Sequence, residues 1–226
     1  MIIGNGLLAR AFAPLFASDA RHLIFASGVS NSLETNAEAF AREKVLLTSA
    51  LTQNKTTVYF STCSVYDPKL TESPYVRHKI EMEELVLNAG AMTVFRLPQV
   101  VGKTNNPHTL TNYLHQQISS RLPFKIWRHA RRNLIDVQDV SSIATYLLRH
   151  QHTANQIINI ANPLSTSIQD LVKIFENTLD IQALCEVLES GASYDIEATI
   201  AIRAASCMGI HFDHTYVNNL IRKYYA

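Results

Sequence analysis

Short apolar runs alternate along this chain with longer stretches whose apolar positions recur every three or four residues, the pattern of strands separated by helices. Residues 1–3 form the first apolar run, and residues 6–17 follow with helical periodicity. Residues 21–26 (Arg-His-Leu-Ile-Phe-Ala) predict a second strand closed by Ser27-Gly28, and residues 37–53 a second helix. Residues 57–61 are strand-like, and Ser73-Pro74 then supplies an N-cap with proline at the first helical position, opening a helix that stops near Gly90. Further strands are expected at 92–97, 124–128 and 156–160, and further helices at 108–120 and 137–149, with the remainder mainly helical. This order implies an α/β fold: a doubly wound parallel sheet with right-handed crossovers, helices on both faces, and ligands at the carboxyl ends of the strands.

A chain of 226 residues suits one compact α/β domain with, at most, a small appended lobe. Hydrophobic residues make up 47%, enough to cover both faces of a sheet, and a net charge of +1 gives no global attraction to nucleic acid or an acidic membrane. Three cysteines, Cys63, Cys185 and Cys207, are odd in number and widely spaced, which argues against a disulfide framework and a metal knuckle and fits a reducing cytosol. The first residues lack the basic-then-apolar pattern of an export signal, and no apolar run reaches membrane-spanning length, so neither a leader nor an anchor is expected.

Gly4-Asn5-Gly6-Leu7-Leu8-Ala9 is a GxGxxA turn between a strand and a helix. Glycines there permit a tight turn and close approach of a pyrophosphate to backbone N–H groups; the plainer alternative is an ordinary turn that uses glycine for positive φ. The ribose-binding carboxylate that follows such a turn by about 20 residues is absent, since that position falls in Phe25-Ala26-Ser27-Gly28. Asp19 lies before the second strand and reads as a solvated helix-end charge, so the choice between NAD and NADP stays open.

Tyr75 and Lys79 stand four residues apart on one helix face, where side chains meet. A cation beside a phenol favours phenolate, so Tyr75 could exchange a proton with a substrate oxygen while Lys79 stabilises the charge. Nine tyrosines and eight lysines give about 0.3 such pairs by chance, so the pair alone proves little. Its position carries more: it opens a capped helix shortly after a strand ending Ser61-Thr62-Cys63-Ser64-Val65-Tyr66-Asp67, and Thr62 there could donate to a developing oxyanion.

These segments, in order, resemble the extended short-chain dehydrogenase/reductases, the NAD-dependent epimerase/dehydratase family. Residues 60–66 look like its active-site strand end, Tyr75…Lys79 like its YxxxK, Phe95-Arg96-Leu97-Pro98-Gln99-Val100-Val101-Gly102 like its next strand and turn, and 132–140 and Asn159-Ile160-Ala161 like its later motifs. The resemblance implies that Thr62, Tyr75 and Lys79 are catalytic, with Ser61 and Ser64 as backup hydroxyls. It implies an NAD or NADP site formed by Gly4, Gly6, Leu7, Leu8, Ala26, Ser27, Gly28, Tyr75, Lys79 and Pro98. Substrate contacts are implied at Cys63, Ser64, Gln99 and Arg132, the last against the diphosphate of a nucleotide sugar.

The chain also departs from the family pattern. Ile3 stands where the first glycine of TGxxGxxG would fall, and residues 21–28 read as the family's fourth strand, so the usual second and third strands are missing. The expected architecture is therefore a single Rossmann-like domain, shortened on the adenosine-binding side, with residues of about 103–132 and 161–226 contributing a small C-terminal substrate lobe. Asp136 and Asp139 bracket a helix start and read as dipole partners, and no histidine spacing suits a metal, leaving His108, His115, His150 and His152 as surface or helix-face residues. Ser64 lacks a nucleophile elbow. The function implied is an NAD(P)-dependent reductase or epimerase of a nucleotide-linked keto-sugar in surface-polysaccharide synthesis, cytoplasmic and possibly homodimeric. The rival is a non-catalytic nucleotide- or nucleotide-sugar-binding scaffold or sensor.

Overall fold

A computed structural model describes residues 1–90, 92–151 and 153–226 of the chain, so the surface position expected for His152 lies outside the described residues. The chain begins β1 (Ile2–Ile3), α1 (Leu7–Phe16), β2 (His22–Phe25), α2 (Ala37–Leu51), β3 (Thr56–Thr62), a 3-10 turn (Cys63–Tyr66), α3 (Pro74–Asn88) and β4 (Thr93–Leu97). It continues β5 (Gln99–Val101), α4 (Leu110–Ser119), β6 (Phe124–Trp127), β7 (Arg131–Arg132), β8 (Leu134–Asp136), α5 (Val137–His150) and β9 (Gln156–Asn159). It ends β10 (Thr166–Ser167), α6 (Ile168–Leu179), β11 (Cys185–Leu188), α7 (Thr199–Cys207) and α8 (Tyr216–Tyr225).

Local chemistry sets the helix starts that matter for the site. Asn36 caps α2 by accepting from the Glu38 N–H, and Ser73 caps α3 by accepting from the Val76 N–H at 3.2 Å with Pro74 in the first turn. These two caps fix where Glu43 and Tyr75 fall along their helices.

The central sheet is parallel with strand order β1-β2-β3-β4-β9. Alternation along the strands sorts the faces. Ile24, Val58, Phe60 and Phe95 pack against α1 (Phe12, Phe16) and α5 (Ile143, Leu147), whereas Leu23, Phe25, Tyr59 and Val94 pack against α2 (Leu47, Ala50) and α3 (Met82, Val86). The sheet is therefore covered on both sides, as the apolar pattern implied. Among the described residues it ends at β1, which pairs with β2 alone, so the sheet is shortened on that side as the resemblance implied.

Uniformly right-handed crossovers, expected from the strand–helix alternation, do not occur. The steps β1–α1–β2 and β2–α2–β3 run the same way across the sheet with their helices on opposite faces, so their hands are opposite, against the usual right-handed preference. The cause is the placement of β2 directly beside β1 while Phe12 holds α1 on the α5 face, its ring 5.0 Å from that of Phe60.

A second core gathers Leu114 and Ile118 of α4, Phe124 and Ile126 of β6, Leu171 and Phe175 of α6, and Leu220 and Ile221 of α8. The C-terminal stretch expected to be mainly helical also holds β11, parallel to β6 in register Cys185–Phe124 to Leu188–Trp127. Four residues with one half-buried face carry too little periodicity to show a strand until β6 supplies the partner edge. No helix among the described residues is long and apolar enough to cross a membrane.

Candidate active site

A cleft of about 500 Å³ opens at the carboxyl ends of β1, β2, β3 and β4, within the range of small-molecule sites. The glycine turn forms one end. Gly4 has φ of 121°, and a Cβ there would stand 2.3 Å from the Ala26 carbonyl oxygen, so only glycine lets β1 turn this tightly against the end of β2. Gly6 has the opposite property: nothing lies within 4 Å of where its Cβ would be, and no side chain caps α1. The first N–H groups of α1 are left for a ligand, the arrangement that accepts a phosphate. Leu7, Leu8, Ala26, Ser27 and Gly28 also line the cleft, and none of its lining residues is an Asp or Glu. These features suit the diphosphate and nicotinamide parts of a dinucleotide, whereas the sheet provides no strand beyond β1 to wall its adenosine.

Thr62, Tyr75 and Lys79 meet at the other end. Thr62 finishes β3, and its Oγ1 accepts from the Ser64 N–H at 3.0 Å, which holds the hydroxyl at the turn. Tyr75, from the first turn of α3, lines the same cleft. Lys79, one turn further along α3, is buried and still borders the cleft.

The electrostatics differ from the simple phenol–ammonium pair that the spacing suggested. Burial pushes the Tyr75 phenol up to about 12, with Glu43, Cys63 and Tyr194 raising it further and the Thr62 hydroxyl opposing them. Lys79 is ion-paired with a buried carboxylate. Glu43 of α2, with no solvent exposure, places Oε1 3.0 Å from Lys79 Nζ and accepts from Tyr59 Oη at 2.7 Å. Its Oε2 lies 3.0 Å from His78 Nε2 and accepts from the Val29 N–H at 2.6 Å. Burial alone would raise the Glu43 carboxyl, but the bonds from His78, Tyr59 and Val29 and the charge of Lys79 outweigh it and hold it at about 2. Lys79 itself is lowered by burial, with Glu43 opposing.

The remaining expected residues divide. Ser64, Pro98 and Gln99 line the cleft. Cys63 does not: it is fully buried beneath the 3-10 turn with its thiol pushed up to about 12 by desolvation, so it neither touches the cleft nor reacts readily. Arg132 also stands outside the lining residues, its guanidinium bonded to the Arg131 carbonyl at 2.8 Å. Ser61 lines the cleft too, and its hydroxyl donates to Glu83, which is itself clamped by Arg96 through Nε at 2.9 Å and Nη2 at 2.5 Å.

Sequence reasoning missed Glu43, Arg42 and Tyr194. Glu43 shares the buried face of α2 with Leu47 and Ala50, and a carboxylate on an apolar stripe was the signal available. Arg42 borders the cleft and bonds Ser27, with Nη2 3.2 Å from its carbonyl oxygen. Tyr194 arrives from the irregular stretch before α7 to line the cleft with Ser64, and nothing local marks it. Among the described residues no group of three or more His, Cys, Asp or Glu is placed to hold a metal ion.

A parallel sheet with a glycine turn at its edge and a Thr–Tyr–Lys group at its mouth defines a Rossmann-type dinucleotide fold. The model of the NAD dependent epimerase/dehydratase family matches residues 15–161, and the chain belongs to that family of enzymes. No curated protein sequence matches the chain. Its structure is similar to that of a UDP-glucuronic acid 4-epimerase from Bacillus cereus in complex with NAD, with TM-score 0.72 and 17% identity over 99% of this chain and 77% of the other. It is also similar to a UDP-glucose 4-epimerase from Bifidobacterium longum in complex with NAD+ and UDP (TM-score 0.71, 14% identity, 97% and 80% covered). A third likeness is to RMD from Pseudomonas aeruginosa complexed with NADPH (TM-score 0.68, 17% identity, 97% and 85% covered).

Proposed function

We propose that the protein is an NAD(P)-dependent reductase or epimerase of a nucleotide-linked keto-sugar, acting in the cytoplasm in surface-polysaccharide synthesis. The observation that carries this reading is the convergence of Thr62, Tyr75 and Lys79 on one cleft, lined by no Asp or Glu, that begins at the open N-terminus of α1. Two anionic partners, a dinucleotide and a nucleotide sugar, suit a cleft bordered by Arg42, Lys79 and His108.

The chain's own groups have distinct roles in this reading. Gly4, Gly6 and the first turn of α1 hold the diphosphate of the dinucleotide, which supplies or removes hydride when bound. Thr62 and Tyr75 hold the substrate oxygen between two hydroxyls, and Tyr75 carries the proton to or from it. Lys79 offers its free N–H to a ribose hydroxyl. Gln99, Ser64 and Tyr194 border the sugar, and residues of about 103–132 and 161–226 form the lobe that receives the nucleotide. A homodimer through α2 and α3, where Val45 is 68% exposed, completes the proposal and is tested by light scattering.

Incubating the protein with keto- and hydroxy-sugar nucleotides and both cofactors, in both redox states, tests the reading through nicotinamide absorbance and product analysis. Tyr75→Phe is expected to lower turnover by about 10²–10⁴-fold while leaving dinucleotide affinity nearly unchanged. Equal turnover by the variant would refute the assignment. The ending of the sheet at β1 favours one alternative, a nucleotide-binding sensor without turnover. Calorimetry separates the two, since a sensor binds nucleotide sugar and gives no absorbance change.

A further inference from the structure

Glu43 is a buried ionised group with no part in the roles described above, and it is the hub of the site's charge. Lys79 Nζ has three protons: one goes to Glu43 Oε1 at 3.0 Å, one to Tyr59 Oη at 3.1 Å, and one remains for the cleft. The ion pair is almost free of solvent, with side-chain exposure of 3% for Lys79 and none for Glu43, so water does little to screen it.

We infer that Glu43 is a positioning residue that neutralises Lys79 and so keeps Tyr75 protonated, making the site a proton donor suited to reducing a carbonyl. The inference rests on the function proposed above and chooses a direction within it. A carbonyl that gains a hydride from the reduced dinucleotide becomes an alkoxide. The proton that completes the alcohol leaves Tyr75 Oη, and Tyr75 recovers one from water. A phenol that holds its proton at neutral pH is the competent form for that step. The reverse reaction needs phenolate, which the charge of the Glu43 carboxylate opposes.

Of the other groups near this centre, Arg42 of α2 borders the same cleft with its guanidinium held on Ser27, 3.3 Å from its Oγ and 3.2 Å from its carbonyl oxygen. From α3 come His78, bonded to Glu43, and Glu83, paired with Arg96 of β4. Tyr59 of β3 is a donor to Glu43, Cys63 lies in the 3-10 turn, and Tyr194 approaches from the stretch before α7. With Glu43 against Lys79 and Glu83 against Arg96, the formal charges cancel in pairs. Tyr75 itself is held far above neutrality, in agreement with this geometry.

The test is a phenolate titration by ultraviolet difference absorbance, with Tyr75→Phe as the reference that isolates Tyr75. In the wild-type protein the Tyr75 signal is expected to be absent below about pH 10, the range of a free phenol. A Tyr75 signal near pH 7–8 overturns the inference, and this measurement needs no change at Glu43. Glu43→Gln is expected to move the Tyr75 phenolate signal down by at least a tenfold change in proton affinity, and Glu43→Asp to restore it. A Gln variant that folds and titrates like wild type also overturns it, because a purely structural role would lower stability without moving this signal. No substrate enters the titration, so failure of every nucleotide sugar to react would remove the proposed function while leaving this result readable.

Discussion

A methyl group on Gly28 would stand 2.7 Å from Lys79 Nζ and 2.8 Å from Glu43 Oε1. The backbone at the end of β2 thus forms one wall of the cage around the ion pair, and glycine is required there by space, since no positive φ is involved. Gly28→Ala is expected to displace Lys79 at a modest stability cost, because its neighbours are side-chain ends, of about 1–3 kcal/mol. Turnover should suffer more, by about 10²-fold, since a displacement of an ångström at a reacting group costs that much. Thermal melts and steady-state kinetics on the same preparation separate the two effects. Equal turnover in the variant would show that Lys79 placement does not limit the reaction.

The two glycines of the first turn should fail in different ways. Gly4→Ala places a Cβ 2.3 Å from a backbone oxygen at a φ that side chains avoid, and is expected to cost several kcal/mol or prevent folding. Gly6→Ala meets no protein atom and is expected to fold normally, yet to weaken dinucleotide binding at least tenfold by occupying the space beside the α1 N–H groups. Denaturant midpoints and calorimetry with NADH and NADPH check both halves. Unweakened binding by Gly6→Ala would remove the phosphate from this turn.

Glu43 links the fold to acid. Its carboxyl is held at about 2 when folded against 4.5 when free, so its contribution to stability is complete above pH 4.5 and is lost as pH falls toward 2. Urea midpoints of the wild type should therefore decline over that window. Glu43→Gln should flatten the decline and, at pH 7, be less stable by about 3–5 kcal/mol because Lys79 loses its partner. A variant that retains the full acid slope would place the effect on other carboxylates, such as Asp19 beside His22, which is also held at about 2.

Much of this architecture was legible before any tertiary contact was known. The apolar run at 21–26, the Ser73-Pro74 start and the helical period of 137–149 became β2, α3 and α5 within a residue or two, because capping and amphipathicity are local properties. The missing pair of strands was legible through the resemblance, in which residues 21–28 read as the family's fourth strand, and the described sheet ends at β1 accordingly. β11 was not, since its four residues are a strand only by virtue of β6.

For the site, the sequence by itself determined which chemical groups the chain carries in order: a glycine turn before a helix, a hydroxyl at a strand end, and a phenol and an ammonium one helical turn apart. Those depend on spacing along single elements, and spacing is written in the chain. Only the tertiary structure decided their charge. Glu43 lies 36 residues from Lys79 and reaches it because α2 and α3 pack side by side on one face of the sheet, while the burial that raises Tyr75 comes from a cluster with Val29, Phe40, Val65 and Leu70. Coulombic balance and desolvation depend on distance in space, so a sequence that displays Tyr75 and Lys79 together does not display the carboxylate that stands between their charges.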